Sequence, residues 1–196
     1  MAEPIALMVG LGNPGPEYTQ TRHNAGFWFI DAVARQCGVQ LRHEARFHGE
    51  AARVNVSGHN LWLLKPSTFM NRSGLAVAAL ANFYKIAPAA ILVIHDELDF
   101  DPGVLRLKEG GGHAGHNGLK DIAAQLGTPQ FPRVRVGVGR AASAADKINY
   151  VLGKPPSAER HQIDDALTDL LHELPKLVAG EWDKAQMVLH GRGKAP

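Results

Sequence analysis

The apolar positions of this chain fall into short runs separated by glycine, proline and charge. IALMVGL at 5–11 is a continuous apolar run, the pattern of a strand buried on both faces. The period then changes: between 22 and 37, Phe27, Ile30, Val33, Ala34 and Cys37 share one face of a helix that Gly38 should terminate. ARFHGEAARVNV and NLWLLKP flank SGHN and predict a hairpin. A helix is expected from about Ser73 to Lys85, with Leu75, Ala79, Leu80 and Phe83 on one side. ILVIHDE at 91–97 reads as a central strand whose C-terminal end carries polar groups. VLRLKE and RVRVGVG alternate, on either side of a short helix, LKDIAAQLG, closed by Gly127. The last third is helical over 157–178 and 181–190, divided at Gly180.

Strands alternating with helices imply an α/β fold, and the hairpin interrupts the parallel crossovers. The expectation is one domain over residues 1–196, with a mixed, mostly parallel twisted sheet, helices on both faces and a helical C-terminal part from about 157.

Composition narrows the class. The single cysteine, Cys37, excludes an intramolecular disulfide framework and a cysteine-clustered zinc site. There is no run of about 18 apolar residues, and no basic region precedes the first apolar run. A cytoplasmic, unprocessed protein away from membranes is expected. The net charge of +2 conceals a pattern. Residues 32–95 carry seven basic against two acidic side chains and 102–160 carry nine against four, while Asp96, Glu97, Asp99 and Asp101 sit between them. Two basic blocks flanking an acidic knot suit a polyanion such as nucleic acid.

Four stretches have residue types that carry chemistry. Gly10-Leu-Gly12-Asn13-Pro14-Gly15 satisfies G-x-G-x-x-G after a strand, the dinucleotide pattern. Pro14 and Pro16 oppose a helix opening inside the motif, and Asp31 falls within a helix instead of ending a second strand. What the loop does supply is Asn13 at a strand's C-terminal end, where open α/β sheets bind ligands. His23 in Thr21-Arg22-His23-Asn24 is a candidate general base, and a helix N-terminus should keep its imidazole neutral. Asp96, closing the strand at 91–97, lies on the same sheet edge and is the candidate carboxylate to orient that ring. A cation at Asp96, Asp99 and Asp101, or at His113 and His116, lacks the usual ligand spacing, so no metal is expected. Finally, 108–120 is a glycine loop leading into a helix N-terminus, suited to close approach by a ligand. No nucleophile elbow occurs. A His-Asp pair without a nucleophile points to direct attack by water on an ester or similar carbonyl.

Taken together, GLGNPGPEY, TRHNAGF, KPSTFMNRSG, HDELD and GGGHAGHNGLKDI, in this order, closely resemble the bacterial peptidyl-tRNA hydrolase family, and the resemblance runs over roughly residues 5–190. It implies an esterase that frees tRNA from prematurely released or stalled peptidyl-tRNA, acting as a monomer on the acceptor end and 3′ terminus, without cofactor or covalent intermediate. A substrate still associated with the ribosome is compatible with this. By the family pattern His23 activates water, Asp96 stabilises its productive form, and Asn13 orients the substrate and discriminates blocked from free aminoacyl groups. Asn71 and Asn117 resemble the amides that hold the peptide backbone and the 3′ end, and Tyr18 and Phe69 match positions lining the tRNA terminus. Amides donate and accept at once, so they grip backbone without reading side chains. Lys108, Lys120, Arg135 and Arg140 are the candidate phosphate contacts. Ala114 departs from the family's usual glycine, an added methyl expected to stiffen the loop. Two rival classes are a nicotinamide-linked oxidoreductase, which predicts cofactor binding at the glycine-rich loop, and a non-catalytic RNA-binding module, which leaves the His-Asp pair and the amides without a role.

Overall fold

The computed structural model describes residues 2–192; Met1 and residues 193–196, which the expected domain includes, lie outside it. Seven strands form one sheet: β1 (Leu7–Gly10), β2 (Arg42–Glu44), β3 (Gly49–Val56), β4 (His59–Pro66), β5 (Ile91–Glu97), β6 (Leu105–Lys108) and β7 (Arg133–Gly137). Their order is β2-β3-β4-β1-β5-β7-β6. The four central strands, β4, β1, β5 and β7, run parallel, and the three outer pairings are antiparallel. The helices are α1 (Ala25–Cys37), α2 (Ser73–Phe83), α3 (Asn117–Leu126), α4 (Lys147–Val151), α5 (Ser157–Val178) and α6 (Trp182–Leu189).

Every residue of β5 is buried, which is why its sequence is a continuous apolar run instead of an alternation. Its side chains feed two cores. Leu92 and Ile94 point with Met8, Phe29, Ile30, Val33, Leu170, Leu174 and Trp182 into the layer of α1, α5 and α6. Ile91 and Val93 point with Leu7, Val9, Val77, Leu80 and Ile122 into the layer of α2 and α3. Truncating a fully buried member such as Phe29 to Ala would cost about 3–5 kcal/mol.

The turns follow their residues. Ser57 (φ 49°) and Gly58 (φ 89°) both take left-handed backbone, the two-residue turn whose twist matches a hairpin. Gly38 and Gly127, at φ 68° and 76°, end α1 and α3 as expected. Two short elements, β2 and α4, are not evident in the hydrophobic pattern. The C-terminal helices cover one sheet face, and His190 Nε2 accepts the Leu107 N–H at 2.9 Å on the edge strand β6.

The glycine-rich loop after β1 does not open a helix. Two 3-10 turns, Pro16–Tyr18 and Arg22–Asn24, intervene before α1. A Cβ on Gly10 would strike the carbonyl of Gly26, and one on Gly26 would strike Leu11 and the Ile94 carbonyl. These glycines let α1 lie directly on the backbones of β1 and β5, and Gly12 lies under the Phe27 ring. The motif is a packing device, and the dinucleotide reading fails on that geometry. The same packing sets the segment just before α1 against the C-terminal ends of β1 and β5.

Candidate active site

Asp96 is buried in β5, and among the described residues it pairs with two histidines and with no lysine or arginine. His23 Nδ1 lies 2.9 Å from Asp96 Oδ1 and 2.8 Å from Oδ2, and His116 Nε2 lies 2.9 Å from Oδ1. The protons can be placed by bonding logic. An ionised carboxylate only accepts, so His23 donates Nδ1–H. His116 is the N-cap of α3, and its Nδ1 accepts the N–H groups of Gly118 (3.1 Å) and Leu119 (3.4 Å). It must therefore carry its proton on Nε2 and donate it to Asp96. With both partners fixed, His23 has only Nε2 left to face the cleft it lines.

Charge follows from the same contacts. Burial draws the His23 pKa down, but the charge and hydrogen bond of Asp96 outweigh it and hold the imidazole above its ordinary value. This corrects the expectation that a helix start keeps His23 neutral: a short 3-10 turn offers little dipole, and a carboxylate in contact is far stronger. Burial likewise opposes ionisation of Asp96, yet the two imidazoles more than offset it and keep the carboxyl well below its usual range. His95, behind His116, is fully buried; burial, reinforced by His116, pushes its pKa down to about 3, so it stays neutral. Its Nδ1 donates to the Asp96 carbonyl at 2.8 Å.

His23, Asp96 and His116 also place three potential ligand atoms within 4.8 Å of one another. A cation there would need the lone pair of His116 Nε2, which moves its proton to Nδ1 and breaks both caps of α3. The bonding favours protons over a metal.

Asn13 reaches the cleft from the loop after β1. Its N–H donates to Asn24 Oδ1 (2.9 Å), while Asn24 Nδ2 donates to its carbonyl (3.0 Å). Its side-chain Oδ1 accepts the Met70 N–H at 2.7 Å. The amide orientation is thus set, and Asn13 presents only N–H to a ligand. Asn71 and Asn117, both exposed, complete the polar lining. Tyr18 and Phe69 meet edge-to-face at 6.2 Å, and Phe69, 59% exposed, is open for stacking at the rim.

All seven residues expected near the reaction, Asn13, Tyr18, His23, Phe69, Asn71, Asp96 and Asn117, line this one cleft of about 380 Å³. The four expected phosphate contacts do not. Lys120 is exposed on α3. Arg135 lies beside Arg106 across the β6–β7 ladder and stacks over Phe100, 4.9 Å from the ring centroid. Arg140 donates to the Asp99 carbonyl at 3.0 Å, and Lys108 donates to the Gly112 carbonyl at 3.3 Å.

Sequence reasoning missed the roles of His116, Asn24, Arg133 and the α4 segment. His116 passes for a loop residue because its partner is 20 positions away. Asn24 stands beside His23 in the motif, but its partner Asn13 is 11 positions away. Arg133 is 1% exposed, and its guanidinium binds the carbonyls of Gly111, Gly112 and Pro129 at 2.7–2.8 Å, bracing the glycine loop. The alternating β7 pattern gives it the same look as Arg135. Lys147, Ile148, Val151 and Leu152 of the α4 segment supply a mostly apolar wall that no motif announces.

The chain is similar to known proteins over nearly its whole length. The family model described as Peptidyl-tRNA hydrolase matches residues 7–195. Peptidyl-tRNA hydrolase of Variovorax paradoxus is 57% identical over 186 residues, 95% of this chain and 89% of that protein. Its Neisseria meningitidis counterpart is 52% identical over 192 residues, 98% of this chain and 100% of the other. The crystal structure of peptidyl-tRNA hydrolase from Acinetobacter baumannii superposes with a TM-score of 0.93 at 48% identity, covering 97% of this chain and 96% of that one. The chain belongs to the peptidyl-tRNA hydrolase family, and its reaction is hydrolysis of the ester joining peptide to tRNA.

Proposed function

We propose that His23 is the general base of this hydrolysis. The observation that carries the reading is the fixed proton order His116–Asp96–His23, which leaves His23 Nε2 as an acceptor in the cleft. Nε2 takes a proton from water, the resulting hydroxide attacks the ester carbonyl carbon, and the imidazolium formed is stabilised by Asp96. The tetrahedral intermediate then expels the 3′ oxygen of the ribose, which leaves with the proton held by His23. No covalent link to the protein forms.

Asn13 serves as a donor to the acyl group. Because Met70 occupies its oxygen, its free N–H groups match a carbonyl and oppose a free α-ammonium, which has only donors. That supports discrimination of blocked from free aminoacyl groups. Asn71 and Asn117 hold peptide backbone and 3′ end, and Tyr18 and Phe69 receive the terminal nucleotide by stacking. Lys108, Lys120, Arg135 and Arg140, outside the cleft, act on phosphates of the acceptor end.

The protein works as a single-domain monomer in the cytoplasm, on free or ribosome-associated substrate; no helix among the described residues is long and apolar enough to cross a membrane. The reading is tested with His23→Ala on an N-acetyl-aminoacyl-tRNA. Turnover should fall about 10²–10⁴-fold with tRNA binding retained, and a variant keeping more than about a tenth of the wild-type rate would remove His23 as the base.

A further inference from the structure

The α4 segment forms the apolar wall of the cleft with little of its own to hold it there. Residues 142–149 are exposed, Ile148 at 68% and Leu152 at 39%, while Val151 is buried. A helix of five residues does not sustain itself in water.

What fixes it is the residue before His23. Arg22, only 8% exposed, donates from Nη1 to the Tyr150 carbonyl at 3.0 Å, and its guanidinium lies 3.9 Å from the centroid of the Tyr150 ring. Its backbone N–H donates to the Gly153 carbonyl at 3.0 Å. The Tyr150 hydroxyl carries the connection on to the Val138 carbonyl at 2.9 Å. Arg22 Nη2 approaches Glu159, at the start of α5, to 3.7 Å. A Cβ on Gly153 would come within 3.0 Å of Arg22 Nη1, so the fit leaves no slack. A charged donor to a carbonyl and a cation stacked on a ring are both strengthened by burial.

We propose that Arg22 is a specificity-determining positioning residue for apolar peptide chains. Its clamp on Tyr150 and Gly153 sets Ile148, Val151 and Leu152 at a fixed span from His23, so that apolar side chains at the end of the peptide are gripped while the ester meets the base. Arg22 itself touches no reacting atom. The inference rests on the reading of the cleft as the peptidyl-ester site.

The test compares two substrates, N-acetyl-diphenylalanyl-tRNA and N-acetyl-glycyl-tRNA, each with KM and kcat measured separately. Arg22→Gln should raise the ratio of the two KM values (diphenylalanyl over glycyl) about tenfold, with the ratio of kcat values changed less than about twofold. Arg22→Lys, which keeps the charge and loses the planar stack, should fall between. Tyr150→Leu, which keeps the carbonyl and removes the ring, should shift the KM ratio in the same direction. A KM rise equal for both substrates, or a common fall in kcat, is what a merely structural role produces and would overturn the proposal. Ile148→Ala guards against unfolding, since its side chain is exposed: it must raise the same KM ratio, and an unchanged ratio overturns the proposal whatever the Arg22 variants do. His23→Ala reports separately on the cleft, because there turnover of both substrates is lost together.

Discussion

His116 donates its Nε2–H to Asp96 across 2.9 Å, and the direction of that bond is dictated from the far side of the ring, where Nδ1 accepts the first N–H groups of α3. Asp96 therefore serves two donors at once: both lie 2.9 Å from Oδ1, and His23 is also 2.8 Å from Oδ2. In Asp96→Asn an N–H₂ group would confront one of them. His116 cannot yield without uncapping α3, so His23 is the ring that changes tautomer, placing its proton on Nε2 where the lone pair is required. The expected result is a fall in kcat of about 10²-fold, smaller than that of His23→Ala, because the base tautomer stays accessible. Steady-state rates of the two variants on one N-acetyl-aminoacyl-tRNA decide the order.

The double duty of His116 can be separated by two substitutions. His116→Ala removes both the cap and the donor to Asp96, and should lower stability by about 0.5–2 kcal/mol as well as kcat by about tenfold. His116→Asn restores a side-chain acceptor suited to an N-cap but does not bring an imidazole N–H to Asp96. Thermal unfolding of the Asn variant should lie near wild type while its kcat stays low. Recovery of both together would mean that the Asp96 contact is incidental.

Much of this was legible in the sequence, for identifiable reasons. β5 and the helices announce themselves because burial on one or both faces imposes a period, and Gly38 and Gly127 because only left-handed backbone ends those helices well. Asn13 and Asp96 fall on one edge by topology alone, since one follows β1 and the other closes its parallel neighbour β5. What escaped depends on contacts distant in sequence. His116 has its partner on β5, and Arg133 binds carbonyls of the glycine loop 21 and 22 positions back, so neither leaves a local pattern. The sign of the His23 shift escaped too, because it rests on the balance between burial and a carboxylate in contact.

That balance has a pH signature. The base must be neutral to act, and Asp96 holds its pKa above the ordinary imidazole value, so kcat/KM should rise with pH through a midpoint on the alkaline side of that value. Asp96→Asn removes the charge and leaves the burial, so the midpoint should move to lower pH even as the plateau falls. Stability runs in the opposite sense: with a folded pKa above the unfolded one, the His23–Asp96 contribution is complete below the unfolded pKa and is lost as pH rises through the folded one. Coincident rate midpoints in wild type and Asp96→Asn would rule out Asp96 as the cause.

The phosphate contacts should show in salt dependence. Lys108 and Arg135 stand outside the cleft, and the Arg135 guanidinium lies over the Phe100 ring, 4.9 Å from its centroid. Replacing either by Ala should weaken tRNA binding for all sequences alike and reduce the slope of log K against log salt by about one. Binding titrations between low and moderate salt measure this. An unaltered slope would remove that residue from the interface.

Ala114 is a non-glycine residue with its backbone at φ +49°. A side chain there sits in the left-handed region, at a cost of about 1 kcal/mol that glycine avoids. Ala114→Gly also frees the unfolded chain, which offsets part of the gain. The turn itself does not depend on the methyl: Gly115 N–H donates to His113 Nδ1 at 3.1 Å and His116 N–H to the His113 carbonyl at 2.9 Å. The variant should therefore be more stable by about 0.5 kcal/mol, a rise of roughly 1–2 °C in Tm for a chain of this size, with kcat/KM within about twofold of wild type. Differential scanning calorimetry beside steady-state kinetics checks both. A lower Tm would show that the methyl stiffens the loop more than its backbone strain costs.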